Sequence, residues 1–132
     1  MRMGAGQLMT RKGFSLASAF RCALQGVIDA SHERNFHIEL CFMTLCIVLG
    51  FAFGISELEW IVVIACFGLV LGGECINSSV EAVVDLASPD FHELARKAKD
   101  AAAGGVLLFS IASFAIGVVI FLPRILALLI FV

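Results

Sequence analysis

The segment "GGECINSSVEAVVDLASPD", residues 72–90, begins at the end of a run, 61–73, that carries no charge. Within it stand Glu74, Asn77, Ser78, Glu81 and Asp85. At about 100° per residue these five fall within roughly 100° of one another, so a helix would gather them into one polar stripe. Like charges on one helical face repel, and a metal ion or cations from elsewhere must compensate them. An ionisable group inside a membrane span is costly and marks function by default. "ARKAKDAAAGG" supplies Arg96, Lys97 and Lys99, with Asp100 beside Lys99, and Glu33 offers one more carboxylate. Carboxylates for Mg²⁺, a lysine for phosphate charge and an acid to take a hydroxyl proton form the inventory of phosphoryl transfer.

The elements that must position these groups are membrane helices. The chain has 132 residues, 61% hydrophobic and only 15% charged, with a mean hydropathy of +1.02. Such a composition reads as one small integral-membrane domain, 1–132. Three apolar runs, 40–55, 60–73 and 101–122, predict transmembrane helices over about 36–55, 58–86 and 96–122. Crossing the hydrocarbon core takes about 20 residues, so the first two runs must draw polar ends such as His37, Glu39 and Glu74 to or inside the boundary. Ser56-Glu57-Leu58-Glu59 reads as a tight turn between the first two spans. Residues 14–33 alternate at helical spacing and predict an amphipathic helix on the membrane surface. The fold class is therefore all-α: a surface helix and three transmembrane helices.

Orientation follows from lysine and arginine. Arg2, Arg11, Lys12, Arg21 and Arg34 precede the first span, Arg96, Lys97 and Lys99 lie between the second and third, and only Arg124 marks the far end. The positive-inside rule puts the N-terminus and the loop at 86–99 in the cytoplasm. With Trp60 at the outer interface, Glu74 lies roughly 21 Å along the helix and Glu81 roughly 31 Å, near the cytoplasmic boundary. The first residues are basic without an apolar core, so no signal peptide is expected.

Plainer readings stand beside these. Asn77 and Ser78 also read as interhelical glue, Asp100 as a salt-bridged helix start, Arg96 and Lys97 as topogenic or headgroup-binding residues, and His92 as a solvated or capping residue. Gly50 and Gly54 make a small-xxx-small pattern that suggests close helix packing. Cys22, Cys41, Cys46, Cys66 and Cys75 have no CxxC spacing and read as small apolar side chains. No basic patch interleaved with aromatics suggests nucleic acid, and no GxxxxGK[ST], HRD or DFG motif is present. On the residues alone, a proton or cation translocator fits as well as an enzyme.

"ECINSSVEAVVDL" followed by "HELARKAKDAAAGGVLL" resembles the signature of the small bacterial integral-membrane lipid kinases, the prokaryotic diacylglycerol and undecaprenol kinases. The pattern E-x-x-N-[ST]-x-[IV]-E-x-x-x-D, then a short loop and K-D, is matched at Glu74, Asn77, Ser78, Glu81, Asp85, Lys99 and Asp100. The likeness extends over "FRCALQGVIDASHERNFHIEL", with Gly26, Glu33, Asn35 and Phe36. It implies a homotrimer in a bacterial inner or plasma membrane, with ATP, a lipid alcohol and Mg²⁺ as partners. It implies Glu74 as the base, Asn77 as an orienting group, and Glu33 and Glu81 as Mg²⁺ ligands. Lys99 would neutralise phosphate charge with Asp100 beside it. Asp85, Asp90, Phe91 and His92 would join Glu33, Glu81, Lys99 and Asp100 around ATP, and Gly26, Phe36, Glu39 and Glu74 would face the lipid. "HERNF" resembles the undecaprenol branch, whereas the acid at Glu39 resembles the diacylglycerol branch. Where the family commonly has Tyr on the surface helix, this chain has Cys22, and it has no Tyr at all. The apolar tail after Pro123 has no counterpart in the pattern.

Overall fold

The computed structural model describes residues 15–130. Arg2, Arg11, Lys12 and Phe14, the expected start of the surface helix, lie outside them. Four helices follow in order: α1 (Leu16–Ala30), α2 (Arg34–Phe53), α3 (Glu57–Ala87) and α4 (Glu93–Ile130), and the described residues contain no strand. The last three are each long and apolar enough to cross a membrane. At 1.5 Å per residue they measure about 30, 46 and 57 Å.

Local chemistry sets the helix ends. Ser15 caps α1 by accepting a hydrogen bond from the Ser18 N–H at 3.2 Å. The expected surface helix ran on to residue 33; the helix stops at Ala30, because a turn intervenes and Glu33 adopts extended backbone at the N-cap position of α2. α2 stops at Gly54, which takes a left-handed conformation (φ 58°, ψ 52°) that glycine reaches without a Cβ clash. The expected turn at 56–59 is therefore displaced. The chain turns at Gly54 and Ile55, and Ser56 already caps α3 in a reciprocal box with Glu59. The small-xxx-small pair is used differently from the expectation too. Gly54 ends a helix, while Gly50 receives the Trp60 ring so closely that a Cβ would lie 2.7 Å from it.

The third span was expected to end at Leu122, yet α4 continues through Pro123 to Ile130. Proline removes one backbone donor and crowds the preceding turn. Here the Arg124 guanidinium donates to the Ile120 carbonyl and to Glu59 Oε2 on α3, which anchors the helix on both sides of the proline.

α3 and α4 share the most extensive seam; α2 leans on α3 and meets α4 only slightly. The resulting groove, about 570 Å³, is lined by apolar side chains from all three helices, including Phe42, Leu49, Phe67 and Phe114. Glu39 is the one charged residue on its wall. The buried apolar core, Ile55, Val63, Ile120 and Phe121, gathers at the end where α2 turns into α3. The polar stripe lies at the opposite end of α3.

Candidate functional site

The stripe forms as helical periodicity requires. Glu74 and Asn77 face inward, 2% and 6% exposed, and are the buried polar residues of the described chain. Asn77 Nδ2 donates to Glu81 Oε1 at 3.0 Å, one turn further along α3. Asn77 Oδ1 is buried with no partner. One turn beyond Glu81, Asp85 receives Lys99 Nζ from α4 at 2.8 Å. Part of the compensation that the stripe needs is thus Lys99 at its outer end and an amide in its middle.

Glu74 has no such cation. Within electrostatic reach of its carboxyl are Glu81 and, from α2 and its cap, Glu33 and Glu39, with the Asn35 amide beside it. Glu39 Oε2 is buried without a hydrogen-bond partner. Glu39 thus joins two features, the groove wall and the neighbourhood of Glu74. A carboxylate or amide oxygen withdrawn from water without a partner costs about 1–3 kcal/mol, so this end of α3 carries unused acceptor capacity. Gly73, next to Glu74, lies against Phe109 of α4, where a Cβ would come within 3.0 Å of the ring. The close approach sets the depth at which the stripe meets α4.

Other expected site residues are placed differently. Asp100 was expected beside Lys99; its carboxylate instead pairs with Arg96 at 2.6 Å, because the (i, i+4) spacing puts those two on one face. Arg96 also pairs with Glu93 at 2.7 Å. His92 Nδ1 accepts from the Leu94 N–H at 3.2 Å, a capping contact at the start of α4. Asp90 and Phe91 are exposed in the loop before it, and Asp90 accepts from Ser88 through its carbonyl. Gly26 is exposed on α1 with open space around it, and Phe36 is buried at the start of α2. None of Gly26, Asp90, Phe91 and His92 makes a side-chain hydrogen bond or ion pair with the stripe among the described residues.

The donor set can be tested against Mg²⁺. Among the described residues no three His, Cys, Asp or Glu side chains converge as a closed cage. Mg²⁺ is commonly held by one or two carboxylates and completed by phosphate oxygens and water. Glu33 and Glu81 fit that mode. The Glu33 carboxylate makes no cap hydrogen bond, and Glu81 commits only Oε1, to Asn77.

A stripe of carboxylates headed by the buried Glu74 on one membrane helix and a lysine at the head of the next also fit what sequence comparison finds. The family model described as prokaryotic diacylglycerol kinase matches residues 21–121. The chain belongs to this family. An undecaprenol kinase of Bacillus subtilis is 38% identical over 95 residues, covering 72% of this chain and 77% of that protein. A diacylglycerol kinase of Synechocystis is 36% identical over 121 residues, 88% of this chain and 67% of that one. Another, from Haemophilus influenzae, is 34% identical over 94 residues, 70% and 80% respectively. The protein is an integral-membrane lipid kinase. The matched residues include α2, α3 and most of α4, and with them every member of the stripe.

Sequence reasoning missed two features. Asn35 meets Glu74 through tertiary packing that no local spacing signals, as does Glu39, which only the family resemblance had grouped with Glu74. The Glu59–Arg124 pair, 2.9 Å, joins the far ends of α3 and α4. Its signal was available in part, because "SELE" is an S-x-x-E capping box in the sequence.

Proposed function

We propose that the chain transfers the γ-phosphoryl group of ATP to undecaprenol, giving undecaprenyl phosphate. The observation that carries this reading is Glu74, 2% exposed, close to a groove whose one charged wall residue is Glu39. A lipid alcohol presents one hydroxyl at the end of an apolar chain, and the groove and its carboxylates are complementary to that shape. Glu74 takes the hydroxyl proton as the oxygen bonds to the γ-phosphorus and the bond to the β-phosphate oxygen breaks, with ADP leaving. Lys99 moves from Asp85 to the phosphates and offsets their charge. Asn77 holds Glu81 in place. Glu33 and Glu81 would hold Mg²⁺, which when bound neutralises phosphate charge.

Two observations favour undecaprenol. "HERNF" resembles that branch, and the B. subtilis relative carries that name. One observation favours diacylglycerol as a second reading: the acid at Glu39, where the undecaprenol branch usually has histidine. The working form is proposed to be a homotrimer with the stripe at the cytoplasmic face. Arg21, Arg34, Arg96, Lys97 and Lys99 lie towards that end and Arg124 alone towards the other, as the positive-inside rule asks. Competition between undecaprenol and diacylglycerol in mixed micelles, with labelled ATP, tests the substrate. Preferential labelling of diacylglycerol would replace the first reading by the second.

A further inference from the structure

The α3–α4 seam is apolar along most of its length and pinned at each end by an ion pair. Lys99 Nζ meets Asp85 at 2.8 Å near the stripe, and Arg124 meets Glu59 at 2.9 Å at the far end. About 26 residues separate the pins on α3 and about 25 on α4, roughly 38 Å on either helix. The pins therefore share one antiparallel register. That span exceeds a hydrocarbon core of about 30 Å, so both pins reach the interfacial layers.

Between the pins the helices are held mainly by van der Waals packing, since lipid supplies no hydrophobic drive for helix association. Packed helices can ratchet past one another by a turn, about 5.4 Å, and directional ion pairs oppose that motion. The near pin is made from Lys99, which the proposed reaction gives up to phosphate. While Lys99 is so engaged, the far pin is the ion pair left to hold the register.

The far pin is built for that task. Glu59 Oε2 accepts from the Ser56 N–H at 2.8 Å and the Ser56 hydroxyl at 2.9 Å as well as from Arg124, so its rotamer is held from its own helix end independently of the arginine. The guanidinium is held in turn by the Ile120 carbonyl, beside the turn that Pro123 loosens. The two side chains are 25% and 32% exposed, more enclosed than the Lys99–Asp85 pair at 36% and 65%. We propose that Glu59 and Arg124 are positioning residues, a register pin that keeps Lys99 level with the acid stripe from the opposite end of the hairpin. The link to Lys99 rests on the proposed function; the register claim does not.

Two readouts separate these parts. Glu59→Gln keeps the capping geometry and removes the charge, and Arg124→Gln removes the other partner. Each should raise the KM for Mg·ATP about five- to twentyfold with a smaller fall in kcat, the double variant should be no worse than either single one, and Arg124→Lys should recover most of the loss. In parallel, spin labels at Leu86 and Leu108, both exposed on this chain (87% and 69%), would report the α3–α4 distance. The native cysteines would be replaced and labelled chains diluted with unlabelled copies. The Glu59→Gln protein should show a distance distribution broadened or displaced by up to about one helical turn once Mg·ATP is present, and also without nucleotide when Asp85→Asn removes the near pin as well. An unchanged distribution and unchanged KM, with only a lower melting temperature, would reduce the pair to a stabilising contact and overturn the proposal. If the wild-type chain transfers no phosphate to either lipid, the proposed function fails, and the distance measurement still decides the register claim.

Discussion

At the end of the hairpin where Trp60 lies on Gly50, apolar side chains close on one another and each polar group in view has a partner. Glu59 alone satisfies Ser56 and Arg124. At the other end, Glu74 and Asn77 are as deeply buried as the core residues, yet Asn77 Oδ1 and Glu39 Oε2 have no partner. α2 and α3 contribute to both ends. The difference separates an end where packing and polar pairing are complete from an end where acceptors are buried without partners.

Substitutions can break that contrast. The largest effect is expected at Glu74. Glu74→Gln should lower transfer by about 10²–10⁴-fold, the usual contribution of a general base, while ATP binding persists and thermal stability holds or rises, since a poorly compensated buried charge is gone. Loss of nucleotide binding in a titration would move Glu74 out of the base role. Glu81→Gln comes next. Losing even an outer partner of a metal ligand costs about 10–100-fold in metal affinity, so the Mg²⁺ concentration for half-maximal transfer should rise at least that far. An unshifted Mg²⁺ titration would remove Glu81 from the ligand set.

The other end should respond in the opposite currency. Gly50→Ala places a methyl 2.7 Å from the Trp60 ring, and overpacking of that kind costs about 1–3 kcal/mol. Thermal unfolding should record the loss while the KM for Mg·ATP stays put; a variant as stable as wild type would mean that Trp60 moves aside freely. Smallest is Asp85→Asn. The pair it breaks is largely exposed and worth less than about 1 kcal/mol, so stability should barely change, and the KM for Mg·ATP should fall slightly because Lys99 no longer has to leave a carboxylate. A raised KM would instead give Asp85 a part in holding the nucleotide.

Much of the stripe was legible because it is local. Glu74, Asn77, Glu81 and Asp85 share a face by helical phase alone, and the length and apolarity of three runs forced membrane helices. What sequence could not convey was contact between elements. Asn35 and Glu39 reach Glu74 only because α2 crosses α3 where it does. Asp100 follows Lys99 in the chain, but 100° of helical rotation turns it to Arg96. Pro123 looked like a helix stop because the Arg124 guanidinium that braces the helix beside it is held by Glu59, which is distant in sequence. The shift of the first turn from 56–59 to Gly54 and Ile55 had a local cause, a capping box that reads equally as a polar turn until its hydrogen bonds are seen.

The central claim is that the Glu74 end of the hairpin passes phosphate from ATP to a lipid hydroxyl. The most direct measurement is transfer from radiolabelled ATP in detergent–lipid micelles, comparing wild type with Glu74→Gln and supplying undecaprenol and diacylglycerol separately and in competition. The account predicts label in undecaprenyl phosphate for the wild type, preferred over phosphatidic acid, and almost none for the variant despite intact ATP binding. Equal transfer by both proteins, or lipid-independent hydrolysis of ATP by the folded wild type, would contradict it.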